Sequence, residues 1–147
     1  MFKHILIPND GSPIAEKAVK AGFELAKVLG AKVTGYCALE TIQPAHYGEG
    51  FMMGRGMVKE FERAAREASE KHMNKMAKAA AAAGVEFTPL IAEAETAFEG
   101  IIATAKKYKC DAIFMASHGH KGLAGLILGS VTQKVLTHSK LPVLVYR

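Results

Sequence analysis

Two turns that contain glycine carry the residue types that could hold an anion. The first is Asp10-Gly11-Ser12, and the second is Ala-Ser-His-Gly at 116–119, followed after nine residues by Gly129-Ser130 at the start of a predicted helix. A helix start offers backbone N–H groups without partners, and a serine there can cap the helix or donate to a phosphate oxygen. Gly119 and Gly129 lack a Cβ, so the backbone can approach a ligand closely. The pattern predicts a phosphate site, with the alternative that these glycines only shape a connection.

The same turns give weaker indications of other chemistry. No GxGxxG follows the first predicted strand and no GxxxxGK[ST] occurs in the chain, which disfavours a dinucleotide fold and a P-loop NTPase. His118 and His120 have no third ligand at metal-site spacing, so we expect imidazoles that face solvent or phosphate. Ser117 is not expected to form a nucleophile pair with His118, because neighbours in sequence seldom present their side chains to each other and no carboxylate in that turn orients the imidazole. No general base is evident, so hydrolysis is expected to be absent or slow.

Asp10 has two interpretations. It could cap the first helix, or it could bind ribose hydroxyls or a Mg²⁺ ion carried by phosphates. The two are partly compatible, because Ser12 can serve as the cap while Asp10 points towards the ligand.

Composition limits the class of protein. The chain has 147 residues, enough for a single domain over 1–147, and it is 50% hydrophobic and 22% charged, as in a compact globular protein. No apolar run approaches the roughly 20 residues of a membrane span and no signal peptide is predicted, so a cytoplasmic protein is expected. The net charge of +5 is spread along the chain, which argues against nucleic acid as a partner. Cys37 and Cys110 are predicted to be reduced and buried.

Strand and helix patterns alternate along the whole chain. The predicted strands cover 4–8, 31–39, 85–92, 112–116 and 142–145. The predicted helices begin at Ser12 or Pro13, at residue 58, at a cap on Thr96 and at Ser130, whereas 43–56 is predicted to be a mobile loop. The inner stripe predicted for the second helix is Phe61, Ala65, Ala68, His72, Met76 and Ala79.

This βαβαβαβαβ order predicts an α/β fold with a five-stranded, doubly wound parallel sheet and helices on both faces. Such sheets bind ligands beyond the carboxyl ends of their strands, where the strand order reverses. The turns after Ile7 and after Met115 are therefore the expected site.

Three segments of the chain closely resemble the universal stress protein family. They are the start at 5–12, the loop from Ser117-His118-Gly119 to Gly129-Ser130-Val131, and the close at 142–145. Nucleotide-binding members have a Gly, two residues, Gly, nine residues, Gly, Ser/Thr loop that holds the phosphates of ATP. Here Gly119, Gly129 and Ser130 match the later positions, and Ala116 replaces the first glycine.

The resemblance implies a Rossmann-like fold and a site for ATP, AMP or ADP, with Mg²⁺ possible through Asp10. It implies that the backbone at Ala38 meets adenine and that Pro8 and Asp10 flank the adenosine. The full set of nucleotide-binding residues that it implies is Pro8, Asn9, Asp10, Ala38, Met115, Ala116, Ser117, His118, Gly119, His120, Gly129, Ser130 and Val131.

The C-terminal segment from Leu141 to Tyr146 is predicted to form a homodimer. It is apolar and β-branched and should occupy a sheet edge, where unpaired N–H and C=O groups invite pairing with a second copy. The resemblance implies the same dimer and a role as a stress-response regulator or sensor. Two alternatives remain open: a dimeric interaction protein of the same family that binds no nucleotide, and a slow ATPase.

Overall fold

A computed structural model describes residues 1–42, 54–120 and 128–147. Most of the loop predicted at 43–56 lies outside these residues. The five strands are β1 (His4–Pro8), β2 (Lys32–Glu40), β3 (Phe87–Ala94), β4 (Ala112–Ala116) and β5 (Val143–Tyr146). The four helices are α1 (Pro13–Leu29), α2 (Arg55–Ala83), α3 (Ala97–Lys107) and α4 (Ser130–His138). In the described residues, no helix combines the length and apolarity that crossing a membrane requires.

All strand pairs are parallel, and the strand order is β3-β2-β1-β4-β5. The predicted doubly wound α/β sheet is confirmed. The chain moves outward from β1 through β2 to β3, and then returns to place β4 on the other side of β1. The order therefore reverses between β1 and β4, and the turns after these two strands lie side by side at the carboxyl edge of the sheet.

The two faces of the sheet are covered by different helix pairs. The first core cluster joins odd-numbered residues of β1, such as Ile5 and Ile7, to α1 and α2. The second joins Leu6 to Ile101 of α3 and Val135 of α4. Because side chains alternate along a strand, β1 supplies apolar groups to both faces, which explains its continuous hydrophobic run.

Helix α2 differs from its prediction in two ways. It begins at Arg55 rather than residue 58, and Phe61 is 56% exposed. The buried residues of α2 are Ser69, Met73, Met76 and Ala80. Only Met76 belongs to both this set and the predicted stripe, so most of the stripe is displaced by about one residue.

Strand β5 occupies an edge of the sheet, as predicted. The carbonyl oxygens of Pro142 and Tyr146 accept from β4 and from the turn after it, through Ile113 N at 3.0 Å and Ser117 N at 2.7 Å. Because backbone groups alternate in direction along a strand, Val143 and Val145 point their N–H and C=O groups away from β4.

Candidate functional site

A cavity of about 570 Å³ opens at the carboxyl edge of the sheet, between the beginnings of α3 and α4. The structure brings twelve of the thirteen predicted site residues to its wall. These are Pro8, Asn9, Asp10, Ala38, Met115, Ala116, His118, Gly119, His120, Gly129, Ser130 and Val131. Ser117 does not line the cavity.

The turn after β1 is fixed by its own side chains. Asn9 is buried and its Oδ1 accepts from Gly11 N at 2.9 Å, while Gly11 has a φ of +78°. Asp10 Oδ1 accepts from Ser12 N at 2.9 Å. Ser12 is the N-cap of α1, since its Oγ accepts from Ala15 N at 3.3 Å. Asp10 therefore does not cap α1 and is left at the mouth of the cavity.

Asp10 also joins the two turns. Its Oδ2 accepts from His120 N at 3.1 Å, and its carbonyl oxygen lies 2.8 Å from His120 Nε2. A carbonyl oxygen only accepts, so Nε2 carries the proton of that hydrogen bond. A Cβ added at Gly119 would collide with the Asp10 carboxylate. A side chain at position 119 would therefore displace the Asp10 carboxylate from its hydrogen bonds between the turns.

Gly129 holds the start of α4 against the turn after β4. Its N–H donates to Ser117 O at 2.7 Å, and a Cβ added there would lie 3.0 Å from His118 Cα. Gly129 is the N-cap of α4 and supplies no side-chain cap. Ser130 was a possible cap in the sequence analysis, but it is the first residue of the helix, and its side chain is exposed at the cavity.

The first turn of α4 presents donors to the cavity. The first intrahelical bond runs from Gln133 N to Gly129 O at 3.0 Å, so the three N–H groups before Gln133 have no acceptor within the helix. Ser130, Val131 and Thr132 all line the cavity. This end of α4 carries the partial positive charge of the helix dipole, which favours an anion.

Ala116 fits the position where the family motif has a glycine. In the described part of the chain, Lys109 is the one residue other than glycine with positive φ, so Ala116 is outside the left-handed region. Its carbonyl oxygen accepts from Thr132 Oγ1 at 2.8 Å, and the residue is 7% exposed. The extra methyl group therefore causes no backbone strain.

Ser117 and His118 differ from their prediction in one respect. Their side chains do meet, with Ser117 Oγ 3.1 Å from His118 Nδ1. Ser117 is 2% exposed, however, and does not line the cavity. The contact orients the His118 ring and does not present a nucleophile.

The apolar part of the cavity includes residues that the sequence analysis did not assign to the site. Tyr36 and Ala38 project to the same face of β2, because they are two residues apart. Tyr36 is hydrogen-bonded to the side chain of Thr104, and burial raises the pKa of its hydroxyl. The wall also includes Ala15, Glu40, Thr96, Ala97, Phe98, Ile101, Thr132 and Lys134. Two of these residues could have been found from their spacing to residues already assigned to the site. Glu40 follows Ala38 by two residues along a strand, and Lys134 follows Ser130 by one helical turn.

A buried thiol is hydrogen-bonded to the turn after β1. Cys37 Sγ donates to Asn9 O at 3.0 Å, and its side chain is also hydrogen-bonded to Ser69 of α2. Burial raises the pKa of Cys37 to about 12. Cys110 is buried as well, as predicted, and its pKa is raised to about 11 for the same reason. Both are therefore neutral packing groups at physiological pH.

The cavity lacks a complete set of metal ligands of its own. In 1–42, 54–120 and 128–147, no three His, Cys, Asp or Glu residues converge to hold an ion. Asp10 offers one carboxylate, and each of its oxygens already accepts one backbone hydrogen bond. Mg²⁺ commonly binds through one or two carboxylates together with substrate phosphates. Asp10 suits such an ion when a ligand supplies the remaining oxygens.

Comparison with known proteins identifies relatives over the full length of the chain. The profile of the universal stress protein family matches residues 1–147. A universal stress protein of Thermus aquaticus is 32% identical over all of both chains. One from Methanocaldococcus jannaschii is 30% identical over all of this chain and 83% of the relative.

Solved structures of the family have the same fold. UspA of Lactobacillus plantarum has a TM-score of 0.77 with 21% identity, covering 99% of this chain and 97% of the other. A universal stress protein in complex with cAMP has a TM-score of 0.69 with 21% identity, covering 99% and 97%. An Archaeoglobus fulgidus protein with dAMP scores 0.65 with 16% identity, covering 100% and 98%. An Arabidopsis thaliana protein with AMP bound scores 0.67 with 13% identity, covering 97% and 90%. With the sequence match over its whole length, this chain belongs to the universal stress protein family.

Proposed function

We propose that this protein binds an adenine nucleotide, ATP or its relatives AMP and ADP, in the cavity at the carboxyl edge of the sheet. The observation that carries the proposal is the start of α4. There Gly129, Ser130 and the unpaired N–H groups of the first turn open into a cavity of about 570 Å³. Cavities of roughly 300–1,000 Å³ are typical of small-molecule sites.

The phosphates would lie against the first turn of α4. Backbone N–H groups and a serine hydroxyl form charge-assisted hydrogen bonds with phosphate oxygens, and the helix dipole adds attraction. Gly119 and Gly129 add no side chain to this part of the wall. A wall of backbone N–H groups and a serine hydroxyl suits a phosphate chain better than it suits an apolar ligand.

The nucleoside would occupy the apolar end, between β2 and α3. Ala38 and Phe98 line that end and offer a small and a flat apolar surface to a base. Asp10 lies between the two ends with its carboxylate at the cavity mouth, where it can accept from ribose hydroxyls. Mg²⁺, where present, would be carried by the phosphates and meet the protein at Asp10.

Relatives of the same fold provide further support. Three of the solved structures compared above are of proteins with cAMP, dAMP and AMP. All three ligands contain adenine and at least one phosphate. The proposal applies the same ligand class to this chain on the basis of its own cavity.

We further propose that the protein acts in the cytoplasm as a homodimeric regulator or sensor in the stress response. The dimer would pair two β5 strands, Leu141 to Tyr146 in each copy, across a two-fold axis. The outward N–H and C=O groups of Val143 and Val145 would form the new ladder. The dimer would signal according to whether nucleotide is bound.

A direct test examines the purified protein for ligand. Protein denatured after purification should release a compound with adenine absorbance, and calorimetry on nucleotide-free protein should detect ATP binding with Mg²⁺ present. Ligand binding should also raise the Tm, because a free ligand concentration of a hundred times Kd stabilises the folded protein by about 2.7 kcal/mol. No released nucleotide together with no heat at millimolar ATP would overturn the proposal in favour of a family member that works without nucleotide.

A further inference from the structure

A lysine that the family motif does not include lies at the wall of the same cavity. Lys134 is the fifth residue of the nine-residue helix α4. It lies one turn after Ser130, on the same side of the helix, and both residues line the cavity. Side chains on a helix tend to lean towards its N-terminus, so the long Lys134 side chain can reach the end where phosphates are proposed to bind.

The ammonium group of Lys134 is held by an aromatic ring rather than by an acid. Its Nζ lies 5.2 Å from the centroid of Phe98, on the first turn of α3. Among the residues that the structure describes, the ion pairs join Arg63 to Glu60 and Glu67, and Lys75 to Glu16, and none includes Lys134. A cation–π contact at an exposed site is weak, so the ammonium can leave the ring for an anion at little cost.

The helix dipole does not account for this lysine. Cations are favoured at the C-terminal end of a helix, where α4 has His138, and they are disfavoured near the start. A lysine that reaches towards the start adds to the positive potential there. The dipole of α4 and the Lys134 ammonium would therefore both attract a negatively charged ligand in the cavity.

We infer that Lys134 is a specificity-determining residue, which makes the cavity favour phosphorylated nucleosides over the uncharged nucleoside. This inference rests on the proposed function and concerns one residue of the same site. In the free protein the ammonium lies over Phe98, at the nucleoside end of the cavity, and in the complex it turns towards the start of α4 to interact with phosphate oxygens. The alternative is that the lysine stem only covers the Phe98 ring.

The test compares ligands of different charge in one pair of variants. Lys134→Met removes the charge and keeps a chain that can cover Phe98, whereas Lys20→Met removes a charge from the exposed surface of α1, away from the cavity. Calorimetry with adenosine, AMP and ATP is done on the wild type and both variants. We expect Lys134→Met to weaken AMP and ATP binding by about tenfold, the size of one charge-assisted hydrogen bond, and to change adenosine binding less than about twofold.

Two further readouts separate charge from packing. Lys134→Arg should restore most of the ATP affinity, and the salt dependence of ATP binding should be smaller in Lys134→Met than in the wild type. Unchanged ATP and AMP affinity in Lys134→Met, or an equal loss for adenosine and the nucleotides, would overturn the inference. A wild type that binds none of the three ligands would instead overturn the proposed function on which the inference rests.

Discussion

Replacing Gly129 with valine tests whether the start of α4 is a phosphate site. The Cβ of any residue at this position would lie 3.0 Å from His118 Cα and 3.4 Å from Ser117 O. Both neighbours are backbone atoms, which cannot move aside as a flexible side chain does. The two methyl groups of valine would also extend into the space in front of the helix N-terminus. The substitution should therefore disturb the fold locally and block the phosphate path.

Ser130→Ala is the matched variant, because it removes only a donor. The Ser130 side chain is exposed and provides no cap for α4. Its loss should leave stability almost unchanged and should remove one charge-assisted hydrogen bond, about 1–3 kcal/mol or roughly 5- to 150-fold in Kd. Gly129→Val should cost about 1–3 kcal/mol of stability through overpacking. In a domain of this length that lowers the Tm by about 2–12 °C.

The assay combines thermal unfolding with calorimetric titration of ATP on both variants and the wild type. We expect Ser130→Ala to keep the wild-type Tm and to bind more weakly by the factor given above. Gly129→Val should have a lower Tm and lose far more affinity than Ser130→Ala, measured at a temperature where it remains folded. Small and equal effects of the two substitutions on affinity would refute the phosphate site.

Three other results are expected. Gly119→Ala should cost about 1–3 kcal/mol of stability and lower the Tm, since its Cβ collides with the Asp10 carboxylate. Adding Asp10→Gly to the same chain should recover part of that loss in thermal unfolding. Val143→Lys should shift a dimer towards a monomer of 15.7 kDa in light scattering, because two like charges would face each other, whereas a wild type that stays at that mass at high concentration would contradict the dimer. Stability should fall as the pH rises from about 9 towards 12, because thiols lose their protons more readily in the unfolded chain. In the folded protein Cys37 and Cys110 retain them, with pKa values raised to about 12 and about 11. Cys37→Ala should flatten the pH dependence of the Tm, and an unchanged slope would contradict this origin.

Strands β1 and β4 could be predicted residue by residue because the sequence marks both in the same way. The strand β1 is apolar on both faces and ends in a turn with Asn9, Asp10 and Gly11, and the structure has the strand at the predicted residues 4–8. Burial on both faces removes the period-two alternation, so length and the following turn are the signals that remain. The same combination located β4, which is buried at every position.

Helix α2 could be predicted as a helix but not in its orientation. Alanines occupy 77 and 79–83, and an alanine changes little in free energy between a buried and an exposed position. Several overlapping stripes then fit the helical period almost equally well. Ser69 is buried because it bonds to Cys37, a long-range contact that no local pattern contains.

The glycine and hydroxyl positions of the site were predictable, whereas the apolar residues from α3 were not. Gly119 and Gly129 lie at positions that only a site or a tight turn explains. Phe98 and Ile101 have the helical spacing of ordinary core residues, and that spacing alone does not mark them as site residues. Their exposure to the cavity depends on how far α3 lies from α4, a tertiary distance that periodicity does not encode.

The hydrogen bond from Ser117 N to Tyr146 O at 2.7 Å joins the turn after β4 to the last residue of the edge strand. Together with the pairing of β4 and β5, this bond connects the surroundings of the proposed ligand site to the proposed dimer edge. If nucleotide binding shifts that contact, thermodynamic reciprocity requires dimerisation to alter nucleotide affinity by the same factor by which the nucleotide alters dimerisation. A cell could then read nucleotide levels from the proportion of paired chains, without any chemical change in the nucleotide.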